Sequence, residues 1–393
     1  MQQLKIVNGQ VITPGRIIQG GSVLLKDGTI AGISEHNIDA PDAGVIDAAG
    51  KYVSPGFIDL HVHGGGGHDF MDNSIDAFLE IARTHASYGT TAMSPTTLSS
   101  SKADLLETLR VYELANKQNI SGAQFIGMHL EGPYFAPNQC GAQDPRYIRN
   151  PDPEEYKEIL ASTTAIKRWS AAPELKVAIE FGRYITDKGI LAAIAHTDAV
   201  YDEALDAFEN GYTLATHLYS GMLGVTRRNA YRYAGVVEAA YLIERMDVEI
   251  IADGIHLPPP LLKLVYKIKG AKRTALITDA MRAAAMPPGA SVLGGLKNGL
   301  KVIVEDGVAK LPDRSAFAGS VATFDLLVRN MINLAGVPLT DVIEMATLTP
   351  ARIMNIADRK GSLEAGKDAD VVIFDDNINV EKTIVNGRLI YEK

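Results

Sequence analysis

Phe57-Ile58-Asp59-Leu60-His61-Val62-His63 is a short apolar run that ends in histidines, and the same design recurs along the chain. Phe125-Ile126-Gly127-Met128 runs into His129-Leu130-Glu131, and Ala192-Ala193-Ile194-Ala195 runs into His196. Thr213-Leu214-Ala215-Thr216 leads to His217, Ile250-Ile251-Ala252-Asp253-Gly254-Ile255 to His256, and Ala275-Leu276-Ile277-Thr278 to Asp279. Short apolar runs closed by polar residues read as strands buried on both faces. They occupy residues 57–60, 123–128, 190–195, 212–215, 249–252 and 274–277. Helix-like segments alternate with them at 75–88, 103–116, 202–210, 259–268, 323–334 and 339–348, two of them followed by Gly89 and Gly211. This alternation predicts an α/β fold with a parallel sheet, open or closed into a barrel.

The two ends have a different texture. Leu4–Val7, Val23–Lys26 and Val45–Asp47 are β-type runs punctuated by Asn8-Gly9 and Asp27-Gly28, both hairpin signals. Asp370–Phe374, Thr383–Val385 and Leu389–Tyr391 repeat the style around Asn386-Gly387. Neither end has enough strands for a stable sheet alone. We therefore expect one small β domain from residues 1–54 and 358–393, with the barrel spanning 55–357. A third hairpin-like patch, 292–312, carries Asn298-Gly299 and Asp306-Gly307 and reads as an insertion.

The chain has 393 residues, 46% of them hydrophobic and 22% charged, and a net charge of -9. This is the make-up of a globular protein with a large core. An acidic chain without basic blocks argues against nucleic acid as a partner. A single cysteine, Cys140, excludes a disulfide within the chain and a cysteine-based zinc site. No apolar run is long enough to span a membrane, and the N-terminal stretch lacks a leader pattern, so the expected location is cytoplasmic.

In a barrel the C-terminal strand ends converge on one face. Six of the nine histidines (His61, His63, His129, His196, His217 and His256) lie at such ends, with Glu131 and Asp279. One strand-end histidine is ordinarily a satisfied polar group; six together are a constellation. His61 and His63 are two residues apart and point to one side of a strand, as do His129 and Glu131. Histidine with carboxylate suits Zn, Fe, Mn or Co. His85 reads as structural, His36 and Cys140 as incidental, and His68 as part of a glycine-rich loop. No glycine pattern here cradles a dinucleotide. An ion on Glu131, His196 and His217 would leave a place for water and lower its pKa toward ~7. Asp279 could take that water's proton and hand it to a leaving group, while His256 orients a carbonyl. Arg227, Arg228 and Arg232 follow the His217 loop and read either as an anion handle or as a solvated loop.

Several segments resemble the N-acetylglucosamine-6-phosphate deacetylase family of the amidohydrolase superfamily. They are Pro55-Gly56-Phe57-Ile58-Asp59, His61-Val62-His63-Gly64, His129-Leu130-Glu131-Gly132-Pro133-Tyr134, Gly141-Ala142-Gln143 and Ala195-His196-Thr197-Asp198-Ala199. Thr216-His217-Leu218-Tyr219-Ser220-Gly221-Met222, Asp253-Gly254-Ile255-His256, Thr278-Asp279-Ala280-Met281, Ala318-Gly319-Ser320 and Thr349-Pro350-Ala351-Arg352 continue the likeness. The resemblance implies a (β/α)8 TIM-type barrel with a small β-sandwich domain from both termini, assembled as a homodimer. It implies one or two divalent metal ions per subunit, Zn first, on Glu131, His196 and His217, with His61 and His63 available for a second. Asp279 would be the general base and then acid. His256 would contact the acetamido carbonyl, and Ala142, Gln143, Ser220, Gly221, Ala318 and Gly319 would line the sugar pocket. Arg228 would bind phosphate, from its own or the neighbouring subunit. The implied reaction is hydrolysis of N-acetylglucosamine 6-phosphate to glucosamine 6-phosphate and acetate. A galactosamine epimer or another N-acyl amine as substrate, and a sugar-phosphate sensor, are the alternatives. Ser220-Gly221 and the stretch Arg228-Asn229-Ala230-Tyr231-Arg232-Tyr233 depart from the family's usual residues.

Overall fold

The computed structural model describes residues 3–393. Eight parallel strands form the barrel: β1 (Phe57–Val62), β2 (Thr90–Thr97), β3 (Met128–Glu131), β4 (Ile166–Ala171), β5 (Leu191–Ile194), β6 (Tyr212–Ala215), β7 (Asp247–Ile250) and β8 (Thr274–Leu276). Each pairs in parallel with the next, from β1 through to β8. The seam between β8 and β1 closes differently. Asp279 N–H donates to His61 O at 2.9 Å, and Val62 bridges Ala280. Beneath them the buried Asp59 carboxylate accepts Thr278 Oγ1–H at 2.5 Å and Thr278 N–H at 3.2 Å. Burial pushes the Asp59 carboxyl up to about 7.

Helices follow the strands because their apolar stripes need a partner surface. Ile75–Ala86 buries Phe78, Ile81 and Ala82 against the barrel. Ser101 accepts Asp104 N–H and starts Lys102–Gln118, while Asp152 accepts Glu154 N–H ahead of Pro153 and starts Pro153–Ser162. The sequence reading missed Pro153–Ser162, Ala178–Thr186 and Val236–Leu242. It also missed β2 and β4, and it joined Gln124–Phe125 to Met128 although β3 begins only at Met128.

The omissions have a physical cause. β2 reads Thr90-Thr91-Ala92-Met93-Ser94-Pro95-Thr96-Thr97, hardly an apolar run, yet every residue is buried. β4 carries Arg168, fully buried against Glu249 of β7, with Arg168 Nη2 2.7 Å from Glu249 Oε2. The same guanidinium donates to Leu60 O at 3.2 Å and to Thr216 Oγ1 at 2.8 Å. Part of the barrel is therefore polar and internally paired, and hydropathy alone does not mark such strands.

Both chain ends meet in one eight-stranded sheet, where Tyr52–Pro55 pairs antiparallel with Val371–Phe374. Its apolar residues, among them Ile6, Val23, Val53, Val371 and Ile384, form a core of their own. Asp27-Gly28 and Asn386-Gly387 are hairpin turns as expected. Asn8-Gly9 is not: it is an irregularity inside the long strand Gln3–Thr13, where the register against Arg16–Lys26 shifts. Residues 289–310 form a separate three-stranded antiparallel sheet after β8.

Candidate active site

The strand ends deliver their polar residues to one pocket of about 340 Å³, lined among others by His63, Glu131, Gln143, His196, His217, His256 and Asp279. His61 lies beneath, fully buried. Three of these residues leave their strands with left-handed backbone: His196 at φ 47°, His217 at φ 30° and Asp279 at φ 48°. That conformation costs an L-residue roughly 1–2 kcal/mol, and such strain clusters at functional sites. Backbone hydrogen bonds hold it in place: Ala136 N–H to His196 O, Leu218 N–H to Glu249 O, and Ser320 N–H to Asp279 O.

Glu131 is the hub. Its Oε1 lies 3.0 Å from His217 Nε2, 3.3 Å from His196 Nε2 and 3.4 Å from His61 Nε2. Its Oε2 lies 3.4 Å from His63 Nε2. Asp279 Oδ1 sits 3.1 Å from His63 Nε2 and 3.5 Å from His61 Nε2. His61, Glu131 and His217 are spaced as one metal-type group, and His61, His63 and Asp279 as another. Asp279, expected only as a proton carrier, therefore also stands at ligand distance. His129 does not join the pocket. It is buried in the barrel, with Nε2 2.7 Å from Ser170 Oγ and Nδ1 3.3 Å from Thr96 Oγ1.

The donor set calls for a cation. His196 Nδ1–H donates to Gln139 O at 2.7 Å and His217 Nδ1–H to Ser220 O at 3.1 Å; His63 Nδ1 faces Thr96 O at 3.3 Å. In the neutral ring this tautomer turns the Nε2 lone pair inward, where it faces a carboxylate that has only lone pairs. Protons resolve this only in part, because His61 Nε2 and His63 Nε2 are 3.2 Å apart and cannot both carry one. Burial holds His61 below the ordinary imidazole range; Asp279 and Glu131 raise His63 above it despite its burial. Burial pushes the Glu131 carboxyl up, but His61, His196 and His217 outweigh it and hold that carboxyl well below its usual range. One or two divalent ions would take up these inward lone pairs, so the residues present fit such an ion.

Around this floor, His256 Nδ1–H donates to Asp253 Oδ2 at 2.6 Å, which fixes the ring and leaves Nε2 for a substrate atom. Ala142, Ser220, Gly221 and Gly319 line the pocket. Gly221 has φ 58°, and a Cβ there would lie 2.9 Å from His196 Nδ1, so glycine suits the position on both counts. Ala318 is fully buried in an apolar cluster with Met281 and Leu293; its neighbours Phe317 and Gly319 reach the pocket instead. Phe317 packs on His256 with ring centroids 4.8 Å apart, a contact no sequence pattern announced. Arg228 is not in the pocket of its own chain. It lies on the exposed hairpin of Thr226–Arg228 and Tyr231–Tyr233, its guanidinium 5.5 Å from the Tyr233 ring centroid.

The amidohydrolase family profile matches residues 52–390. N-acetylglucosamine-6-phosphate deacetylase of Bacillus subtilis (strain 168) is 34% identical over 397 aligned positions, covering 99% of this chain and 98% of the relative. N-acetylgalactosamine-6-phosphate deacetylase of Escherichia coli O157:H7 is 32% identical, covering 93% of each chain. A Mycobacterium smegmatis N-acetyl-D-glucosamine-6-phosphate deacetylase mutant, solved with N-acetyl-D-glucosamine-6-phosphate, superposes with TM-score 0.90 at 28% identity and covers 99% of this chain and all of its own. A closed parallel barrel, histidines and carboxylates gathered at its strand ends, and a profile match across most of the length lead to one assignment: this chain belongs to the amidohydrolase family.

Proposed function

We propose that this chain is a metal-dependent deacetylase that hydrolyses N-acetylglucosamine 6-phosphate to glucosamine 6-phosphate and acetate. The observation that carries the proposal is the joint one of Glu131, His196, His217, His61, His63 and Asp279 around one point, with His256 beside it, in a chain resembling named deacetylases end to end. Glu131, His196 and His217 would hold the main ion, and His61 and His63 with Asp279 a second; Zn is our first choice, with Fe, Mn and Co suited to the same donors. Such an ion is a Lewis acid that polarises a carbonyl and lowers the pKa of water.

The chain's own residues then carry the reaction. Asp279 Oδ1 accepts the attacking water's proton and returns it to the departing amine. His256 borders the acetamido carbonyl, with Asp253 holding the ring. Leu98, Leu293 and Phe317 supply apolar walls, and Ser220-Gly221 with Gly319 border the sugar. Arg228 binds the phosphate. Because it stands outside its own pocket, we assign it to the pocket of a second copy in a homodimer. Exposed Val225, Tyr231 and Tyr233 supply apolar surface for that contact. No helix among the described residues is long and apolar enough to cross a membrane, and a cytoplasmic location is part of the proposal.

Acetate release is the test. Metal-replete protein should release acetate from N-acetylglucosamine 6-phosphate much faster than from the unphosphorylated sugar, and chelation should abolish it. Parallel assay of the galactosamine epimer separates the two deacetylase readings. Metal-bound protein with no release from any of the three sugars would refute the substrate assignment.

A further inference from the structure

The Gln143 side chain borders the pocket, but its amide is turned toward protein partners. It is 4% exposed, and both ends of its amide are engaged. Gln143 Oε1 accepts Ser99 N–H at 2.7 Å, and Gln143 Nε2–H donates to Glu131 Oε2 at 2.7 Å. Among the described residues, every other polar side-chain contact of Glu131 is to a histidine Nε2. The terminal torsion of a glutamate is broad, so nothing intrinsic decides which oxygen faces which histidine. The amide decides it: Oε2 is committed to Gln143, and Oε1 is left facing His61, His196 and His217.

The same loop also supports a histidine. Gln139 O accepts His196 Nδ1–H, and Gln139 Nε2 and Asn138 Nδ2 donate to Asp198 at 2.7 and 2.9 Å. Residues 137–143 therefore carry partners for both Glu131 and His196, while Gly141 and Ala142 of that loop face the pocket.

We infer that Gln143 is a positioning residue for Glu131, acting on ion affinity rather than on sugar recognition. The inference rests on the ion site proposed above. Outer partners of this kind are worth roughly 10–100-fold in ion affinity.

The experiment is Co²⁺ titration of the apoprotein, followed by visible absorption, alongside kcat and KM at saturating metal. Gln143→Met keeps the volume and removes both hydrogen bonds. Its Co²⁺ affinity should fall by roughly 10–100-fold, with KM for the phosphosugar within about twofold of the parent. Gln143→Asn keeps an amide but is one methylene too short to span Ser99 and Glu131. It should also bind Co²⁺ more weakly, and it serves if the Met variant does not fold. Undiminished Co²⁺ affinity with a raised KM would overturn the inference and return Gln143 to the sugar. A parent protein that takes up no Co²⁺ would overturn the ion site and this inference together.

Discussion

The pocket floor and the 226–233 hairpin differ in burial and in how their side chains are held. His61, His63, Glu131, His196, His217 and Asp279 are between 0 and 8% exposed, and backbone carbonyls hold the His196 and His217 rings. The hairpin is exposed along nearly its whole length, Tyr231 to 73%, and turns through Asn229 and Ala230 at φ 47° and 72°. Its recorded internal side-chain contact is Arg228 over Tyr233. A floor built this way is preorganised, because its groups are desolvated and aimed before a ligand arrives. A solvated hairpin gains its order from whatever it touches. This contrast supports the proposed division, with bond-breaking at the floor and recognition at the hairpin.

The largest expected effect tests the floor. Asp279→Asn should lower kcat by about 10²–10⁴-fold while an ion remains on Glu131, His196 and His217. Steady-state kinetics with metal analysis decide it, and a near-parental rate would remove Asp279 from proton transfer. Next comes the polar barrel below. Arg168→Met strands Glu249 without its partner and should cost about 3–5 kcal/mol of stability. Combining it with Glu249→Leu should recover most of that in urea melts. A single variant as stable as the parent would show that the buried pair does not brace the barrel.

The hairpin should behave in the opposite way. Arg228→Ala should raise KM for the phosphorylated sugar by about 10-fold or more, the worth of a charged hydrogen bond, and hardly alter KM for the unphosphorylated one. Equal changes for both sugars would mean that Arg228 does not read phosphate. Smallest of all, Tyr231→Ser should shift stability by less than about 0.5 kcal/mol in a thermal melt of protein dilute enough to be monomeric. A larger loss there would show that the hairpin packs against its own chain and would blur the division drawn here.

The sequence reading reached the two regions unequally. The floor was legible because its residues end apolar runs, and the convergence of parallel strand ends brings distant positions together. His129 shared that signature yet serves Ser170 and Thr96 inside the barrel, since position relative to a strand end decides which side of the floor a residue joins. β2 and β4 were missed because buried hydroxyls and the Arg168–Glu249 pair do not look apolar. Gln143 is legible as a pocket residue; that its amide also reaches Ser99 and Glu131 depends on a loop path that no local pattern encodes.

What the linear chain determined by itself was periodicity and chemistry: alternating β and α segments, β-rich ends, and histidines and carboxylates at the ends of strands. These are local properties, set by hydrophobic spacing and residue type. What only the tertiary structure decided was convergence and aim. Closure of β8 onto β1 through Asp59 and Thr278, the left-handed turns at His196, His217 and Asp279, and the division of Glu131's two oxygens all depend on contacts between segments remote in sequence. Each is a conformation the local chain would not choose, held because packing and hydrogen bonds from elsewhere outweigh its cost.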